Sequence, residues 1–299
     1  MTQVRMAVDA ENILGEGVLW CERTRRVLWT DIHGAKLWCL VPDTGQVQSW
    51  SMPDRVGSFA LTQDDDTLLL GLASALAFFH LETGTLTPIC EVEPELASTR
   101  INDGRCDRQG RFVFGTLNED PSRERIGSFY RIGPDLRLER LPLGGVAIPN
   151  SICFSPDGAR MYYCDSLSKR IRCCDYGPSS LEFAGDKVFV DLASSAGEPD
   201  GSTIDADGYL WNAQWGASRV VRFSPEGDIE RVVPVPASQP SCVAFGGTGL
   251  STLFITTARA GLAEGVLERD RFAGSLFSVE LRDVRGLPEC RFAGAPQAQ

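Results

Sequence analysis

Glu16, Asn150 and Asp200 offer two carboxylates and one amide oxygen, a donor set suited to a hard or borderline divalent cation with water completing the shell. Their common placement emerges from counting. Eight positions before the turn residue that opens an apolar run lie Glu16 (from Thr24), Asn102 (from Gly110), Asn150 (from Gly158) and Asp200 (from Gly208). Two weaker copies, counted from Asp66 and Gly249, give Ser58 and Ser241. All six residues are polar. If they share one phase of one strand in successive repeats, they converge on a common axis from one end and ring a central channel with oxygen atoms.

The elements that must position such a ring are short strands. Apolar and aromatic runs return at Val27–Asp31, Leu68–Gly71, Phe112–Thr116, Met161–Asp165, Leu210–Ala213 and Leu253–Thr256. Their spacing of roughly 40 to 50 residues is that of a four-stranded propeller blade. Turn chemistry such as Asp43-Thr44-Gly45, Ser155-Pro156-Asp157-Gly158 and Asp205-Ala206-Asp207-Gly208 punctuates the chain about every 20 residues, two hairpins per blade. The pattern predicts an all-β fold, a six-bladed β-propeller with an axial metal site. Closure requires that no long edge stay unpaired, and the strand-like ends Val4–Val8 and Leu276–Leu281 are the expected partners in the closing blade. The segment Gly261–Arg271 is the one expected helix, an insertion or lid beside the last blade.

No composition shift or low-complexity tract divides the 299 residues, so one domain is expected over 1–299, with 294–299 a loose tail. No stretch approaches the ~20 apolar residues of a membrane helix, and the first residues lack a signal peptide's apolar core. Cytoplasmic residence is the expectation. A net charge of −11 disfavours nucleic acid and anionic membranes as partners, and a neutral or weakly polar small molecule suits the chain better. A monomer is expected. The ten cysteines include no CxxC pair and read as reduced packing residues, Cys173-Cys174 being the pair most open to oxidation. The acidic run Asp64-Asp65-Asp66 reads as a solvated hairpin tip.

Other chemistries lack their residues. Only two histidines, His33 and His80, are present, too few for a histidine-rich zinc site or a His-dependent triad. His33 reads as a loop residue. GxSxG, P-loop, GxGxxG and HExxH motifs are absent.

The motifs Leu14-Gly15-Glu16-Gly17, Arg100-Ile101-Asn102-Asp103-Gly104, Ile148-Pro149-Asn150-Ser151 and Pro199-Asp200-Gly201, in that order, resemble the senescence marker protein-30, gluconolactonase and luciferin-regenerating enzyme family. Later phrases, Trp211–Gly216 and Thr256-Thr257-Ala258-Arg259, look most like its bacterial sugar-acid lactonases. The resemblance implies a six-bladed propeller with one divalent metal (Ca, Zn, Mn, Mg or Fe(II)) on Glu16, Asn150 and Asp200. It implies substrate contacts from Arg100 and Asn102, and from an acidic residue after Gly115-Thr116. Glu119 and Asp120 compete for that last role, with Glu119 preferred.

The implied activity is metal-dependent hydrolysis of an aldono-1,4- or 1,5-lactone, such as xylono-, arabinono-, galactono- or gluconolactone. A cation would polarise the ring carbonyl and acidify water, and Asp200 is the expected base. Arg100 would bond the carbonyl or a hydroxyl, its alternative being an ion pair with Asp103. Trp215 would wall a sugar face, while Asp31, Asp103 and Asp165 read as supporting residues. Two other readings use the same fold: a metal-dependent phosphotriester or aryl-ester hydrolase, and a non-enzymatic calcium-binding propeller.

Overall fold

The second strand of each sheet is apolar on both faces because each sheet is sandwiched between two others. Along the strand Arg26–Asp31, Val27 and Trp29 pack towards the last blade with Trp20 and Phe254, whereas Leu28 packs towards the second with Phe59 and Leu70. Period-two alternation therefore assigns neighbouring apolar residues to different cores. Six hydrophobic clusters result, one in each interface between adjacent sheets.

The computed structural model describes residues 3–177 and 183–296. It contains six four-stranded antiparallel sheets, the blades of a β-propeller. Numbered along the chain, the blades begin with Gly15–Cys21, Val56–Leu61, Thr99–Cys106, Pro149–Phe154, Glu198–Ile204 and Pro240–Gly246. These first strands contact one another in a closed ring about the axis. In blade 6 the terminal strand Arg5–Val8 pairs antiparallel with Leu276–Glu280, registering Arg5 with Ser278 and Met6 with Phe277. The chain ends thus close the ring as the sequence predicts.

Every one of the six inner strands carries a register shift near its entry: between Glu16 and Leu19, Val56 and Ser58, Ile101 and Gly104, Asn150 and Cys153, Pro199 and Ser202, and Pro240 and Val243. A bulge bends the strand and re-aims the side chains beside it. At Gly17 and Ser151, the residues after Glu16 and Asn150, φ is +60° and +61°. Glycine adopts that conformation freely; Ser151 holds it while donating from Oγ to the Asp200 carbonyl oxygen at 2.6 Å.

Three local expectations are revised. The helix after blade 6's second strand is a single turn, Glu264–Leu267, inside an insertion leading to Leu276. Asp64-Asp65-Asp66 does form the hairpin tip, with Asp64 exposed, but it is more than solvated: Asp65 pairs with Arg291 at 2.8 Å and Asp66 with Arg26 at 3.8 Å. Cys173 packs towards blade 5 and Cys174 towards blade 3, so neighbouring thiols diverge across the sheet. All ten cysteines are free.

A C-terminal strap crosses the base of the channel. Gly286 bonds Leu250, Phe292 bonds Leu61 and Ala293 bonds Gly110 through their backbones. Phe292 is fully buried with Phe78 between blades 2 and 3, and Gly294 is buried beside it. Residues 297–299 of the expected tail lie outside the described residues. Among the described residues, no helix is long and apolar enough to cross a membrane.

Candidate active site

The re-aimed side chains meet at the opposite mouth of the channel. Glu16, Asn102, Asn150 and Asp200 line one cavity of about 270 Å³, together with Arg100 and Glu119. The two serines do not join them. Ser241 donates to the Gly15 carbonyl and shares a second hydrogen bond with Thr256 Oγ1, and Ser58 is buried beside Gly104 with its hydroxyl unpartnered. The ring of six polar positions therefore reduces to four around the cavity. A larger depression of about 680 Å³ lies at the outer edge of blade 6, by Arg5 and Asp283, away from these groups.

One chain of hydrogen bonds fixes the geometry across four blades. Arg55 grips Glu119 with both nitrogens, Nη1 to Oε1 at 2.5 Å and Nη2 to Oε2 at 2.8 Å. Arg100 Nε reaches the same Oε1 at 3.3 Å, and its Nη1 donates to Asn102 Oδ1 at 2.8 Å and to the Ile101 carbonyl at 2.9 Å. Asn102 Nδ2 donates to Asn150 Oδ1 at 3.1 Å and to the Pro149 carbonyl at 2.9 Å. Asn150 Nδ2 donates to Ser166 Oγ at 2.9 Å, and Ser166 donates to the Pro199 carbonyl at 2.7 Å, next to Asp200. Both amides are thereby orientated, since each nitrogen has a protein acceptor. The Asn150 oxygen retains a second lone pair.

Glu119 lies at the cavity, whereas Asp120 is exposed and accepts from the Ser122 backbone at 2.8 Å. The ion-pair partner of Arg100 is Glu119, not Asp103. Asp103 instead accepts from the Ile152 backbone at 2.7 Å, tying blade 3 to blade 4. Asp31 and Asp165 have matching structural work, each receiving two successive backbone N–H groups, from Ile13 and Leu14 and from Ala147 and Ile148.

Electrostatics single out the two acids on the axis. Burial pushes Glu16 up to about 8, with Asp103 adding repulsion. Asp200 is driven well above the usual carboxylate range by burial and then by the Glu16 and Asp103 charges. Its Oδ1 is buried without a hydrogen-bond partner. Asp103 rises to about 6 through burial, and burial lowers Arg100 to about 10. Two neighbouring buried carboxylates, one with an orphaned oxygen, call for either protons or a cation. Among the described residues no group of three or more His, Cys, Asp or Glu is arranged for a metal; the candidate donors are two acids and an amide, and that chemistry fits a hard divalent ion.

Several residues of the site escape the repeat count. Ser166 and Glu198 line the cavity outside the counted positions, and Arg55 reaches it only through Glu119. His33 and Trp215 both line the cavity. The His33 ring is held below its ordinary range by desolvation and by the nearby Arg100 and Arg55 charges.

Residues 14–259 match the SMP-30/Gluconolactonase/LRE-like region. The chain is similar to an L-arabinolactonase of Azospirillum brasilense, 50% identical over 99% of this chain and 97% of the relative. It is 32% identical to regucalcin of Gallus gallus over 94% of this chain and 95% of that protein. Among solved structures it resembles a calcium-binding regucalcin from Agrobacterium tumefaciens, with a TM-score of 0.91 and 29% identity over 97% of each chain. On the strength of this match through all six blades, the chain belongs to the SMP-30/gluconolactonase/LRE-like family.

Proposed function

We propose that this protein hydrolyses the lactone of a sugar acid, with a divalent cation held by Glu16, Asn150 and Asp200. The observation that carries the reading is the unpartnered Oδ1 of Asp200, buried beside Glu16 in a small cavity walled by Arg100, Asn102 and Glu119. A relative that is 50% identical is named an L-arabinolactonase, and a further relative, of Pseudomonas putida, is named a 6-deoxy-6-sulfogluconolactonase. These names support an aldonolactone, with arabinonolactone the first candidate.

When bound, the cation supplies positive charge against the carbonyl oxygen and acidifies water. The protein's own groups do the rest. With the cation held, the Asp200 carboxylate is ionised and takes a proton from the attacking water. As the ring ester bond breaks, that proton passes to the departing ring oxygen, leaving the open-chain aldonic acid, which gives its own proton to solvent and departs as the aldonate. Arg100 has two nitrogens committed within the protein, and its Nη2 makes no hydrogen bond among the described residues. It serves as the donor to the carbonyl or a hydroxyl. Asn102 orients Asn150, and Glu119, gripped by Arg55, aligns Arg100 and faces the substrate.

A cavity of about 270 Å³ with this polar lining suits a small hydroxylated ring better than an aryl ester or phosphotriester. The similarity to a calcium-binding regucalcin favours metal binding as such, so a non-catalytic calcium-binding propeller is the second reading. Proton release on a panel of aldonolactones, alongside an aryl ester and a phosphotriester, separates the three. Turnover confined to lactones supports the proposal. Turnover of the other esters alone, or none with metal bound, replaces it. The expectations of a cytoplasmic, monomeric, one-domain protein belong to the same proposal.

A further inference from the structure

Most polar groups around the cavity are already committed inside the protein. Both Glu119 oxygens are held by Arg55, and the Asn102 and Asn150 nitrogens have protein acceptors. Glu198 is different. It lines the same cavity, is partly exposed there, and makes no hydrogen bond or ion pair among the described residues. It opens the inner strand of blade 5 directly opposite Trp215, the last residue of the neighbouring strand. Directly paired residues of antiparallel strands project to one side of the sheet, and Trp215 also lines the cavity. With no partner among the described residues, the Glu198 carboxylate is left to meet a ligand in the cavity.

A free carboxylate beside a flat indole complements a polyhydroxylated ring. The carboxylate oxygens accept hydrogen bonds from two adjacent hydroxyls, while the indole covers the apolar C–H face. We infer that Glu198 and Trp215 form a hydroxyl-reading subsite that sets preference for polyhydroxylated lactones over unsubstituted ones. Glu198 is thus a specificity-determining residue, and Asp200, along the same strand, stays with the reacting carbonyl. This inference rests on the lactonase reading for the identity of the ring.

Steady-state hydrolysis of arabinono-1,4-lactone and of γ-butyrolactone, the same ring without hydroxyls, tests it in wild type, E198Q and E198A. A site built to bond a hydroxyl discriminates strongly against its loss. E198A should raise KM for the arabinonolactone by about tenfold or more and shrink the kcat/KM preference over butyrolactone by a similar factor. E198Q, which keeps one acceptor, should fall between. A preference ratio within about twofold of wild type in E198A overturns the inference, while wild-type turnover keeps the lactonase reading intact. Calorimetric binding of 1,4-anhydroarabinitol, which keeps ring and hydroxyls without the carbonyl, reads the subsite independently of turnover. Weaker binding by E198A supports the subsite even if no lactone is hydrolysed, and equal affinity sinks it. Thermal melting of each variant confirms folding.

Discussion

Asn102 donates from Nδ2 to Oδ1 of Asn150 across 3.1 Å, joining blades 3 and 4 at the channel mouth. Together with the bond from Asn150 Nδ2 to Ser166, it leaves the Asn150 amide a single orientation, oxygen towards Asn102 and nitrogen towards Ser166. Groups that orient a metal ligand are worth roughly 10- to 100-fold in affinity. Asn102→Ala should weaken divalent-cation binding by about that range, read by calorimetric titration. Unchanged affinity would show that Asn150 needs no such support.

The metal-free protein should lose stability as pH rises. Burial raises Glu16 to about 8 from an ordinary 4.5, so across that interval the folded chain holds a proton that the unfolded chain has released. The stabilising contribution is complete below about 4.5 and gone above about 8, and Asp200 shifts in the same direction. Tm of stripped protein should therefore fall between those limits. Added cation, which competes with protons for the same oxygens, should raise Tm most at the alkaline end. Glu16→Gln should flatten the pH dependence of the stripped protein. A profile identical to wild type would refute the assignment.

Arg55 touches the site only through Glu119. Replacing it with methionine removes two hydrogen bonds from that carboxylate and leaves Arg100 to hold it alone. KM should rise several-fold with a smaller change in kcat. Arg55→Lys should restore little, because a single ammonium cannot reproduce the two-pronged grip. Full recovery by lysine would mean that charge alone matters.

The strap beneath the channel contributes to stability without entering the chemistry. Phe292 is fully buried between blades 2 and 3, packed near Phe78 with ring centroids 6.1 Å apart. Phe292→Ala should cost about 3–5 kcal/mol, measured by denaturant unfolding, and leave KM near its wild-type value. A loss below about 1 kcal/mol would indicate that the strap closes over the vacated space.

The repeat was readable because blade packing imposes it. Trp29 and Leu28 must both be apolar, since each faces a different neighbouring sheet, and turns ending in glycines such as Gly158 and Gly208 mark the hairpins. Counting along that repeat reached Glu16, Asn102, Asn150 and Asp200, which the fold gathers around one cavity. It failed at Ser58 and Ser241. The register shift is common to all six inner strands and so does not separate them; the two serines have short side chains that stay in the wall, Ser241 on the Gly15 carbonyl and Ser58 beside Gly104. Arg55 and Ser166 were illegible for another reason. Both lie outside the counted strand positions: Arg55 finds its partner on the next blade, and Ser166 accepts from Asn150 within its own blade and donates to Pro199 of the next. The choice between Glu119 and Asp120 likewise depended on loop geometry, where Asp120 turns outward to cap Ser122.

The most direct test is hydrolysis of arabinono-1,4-lactone by metal-stripped protein, with individual divalent ions restored and Asp200→Asn run beside wild type. Little activity is expected in the stripped protein, with recovery on at least one ion and a loss of roughly 100-fold or more in the variant. Equal rates in wild type and Asp200→Asn, or turnover indifferent to metal, would contradict the proposed function.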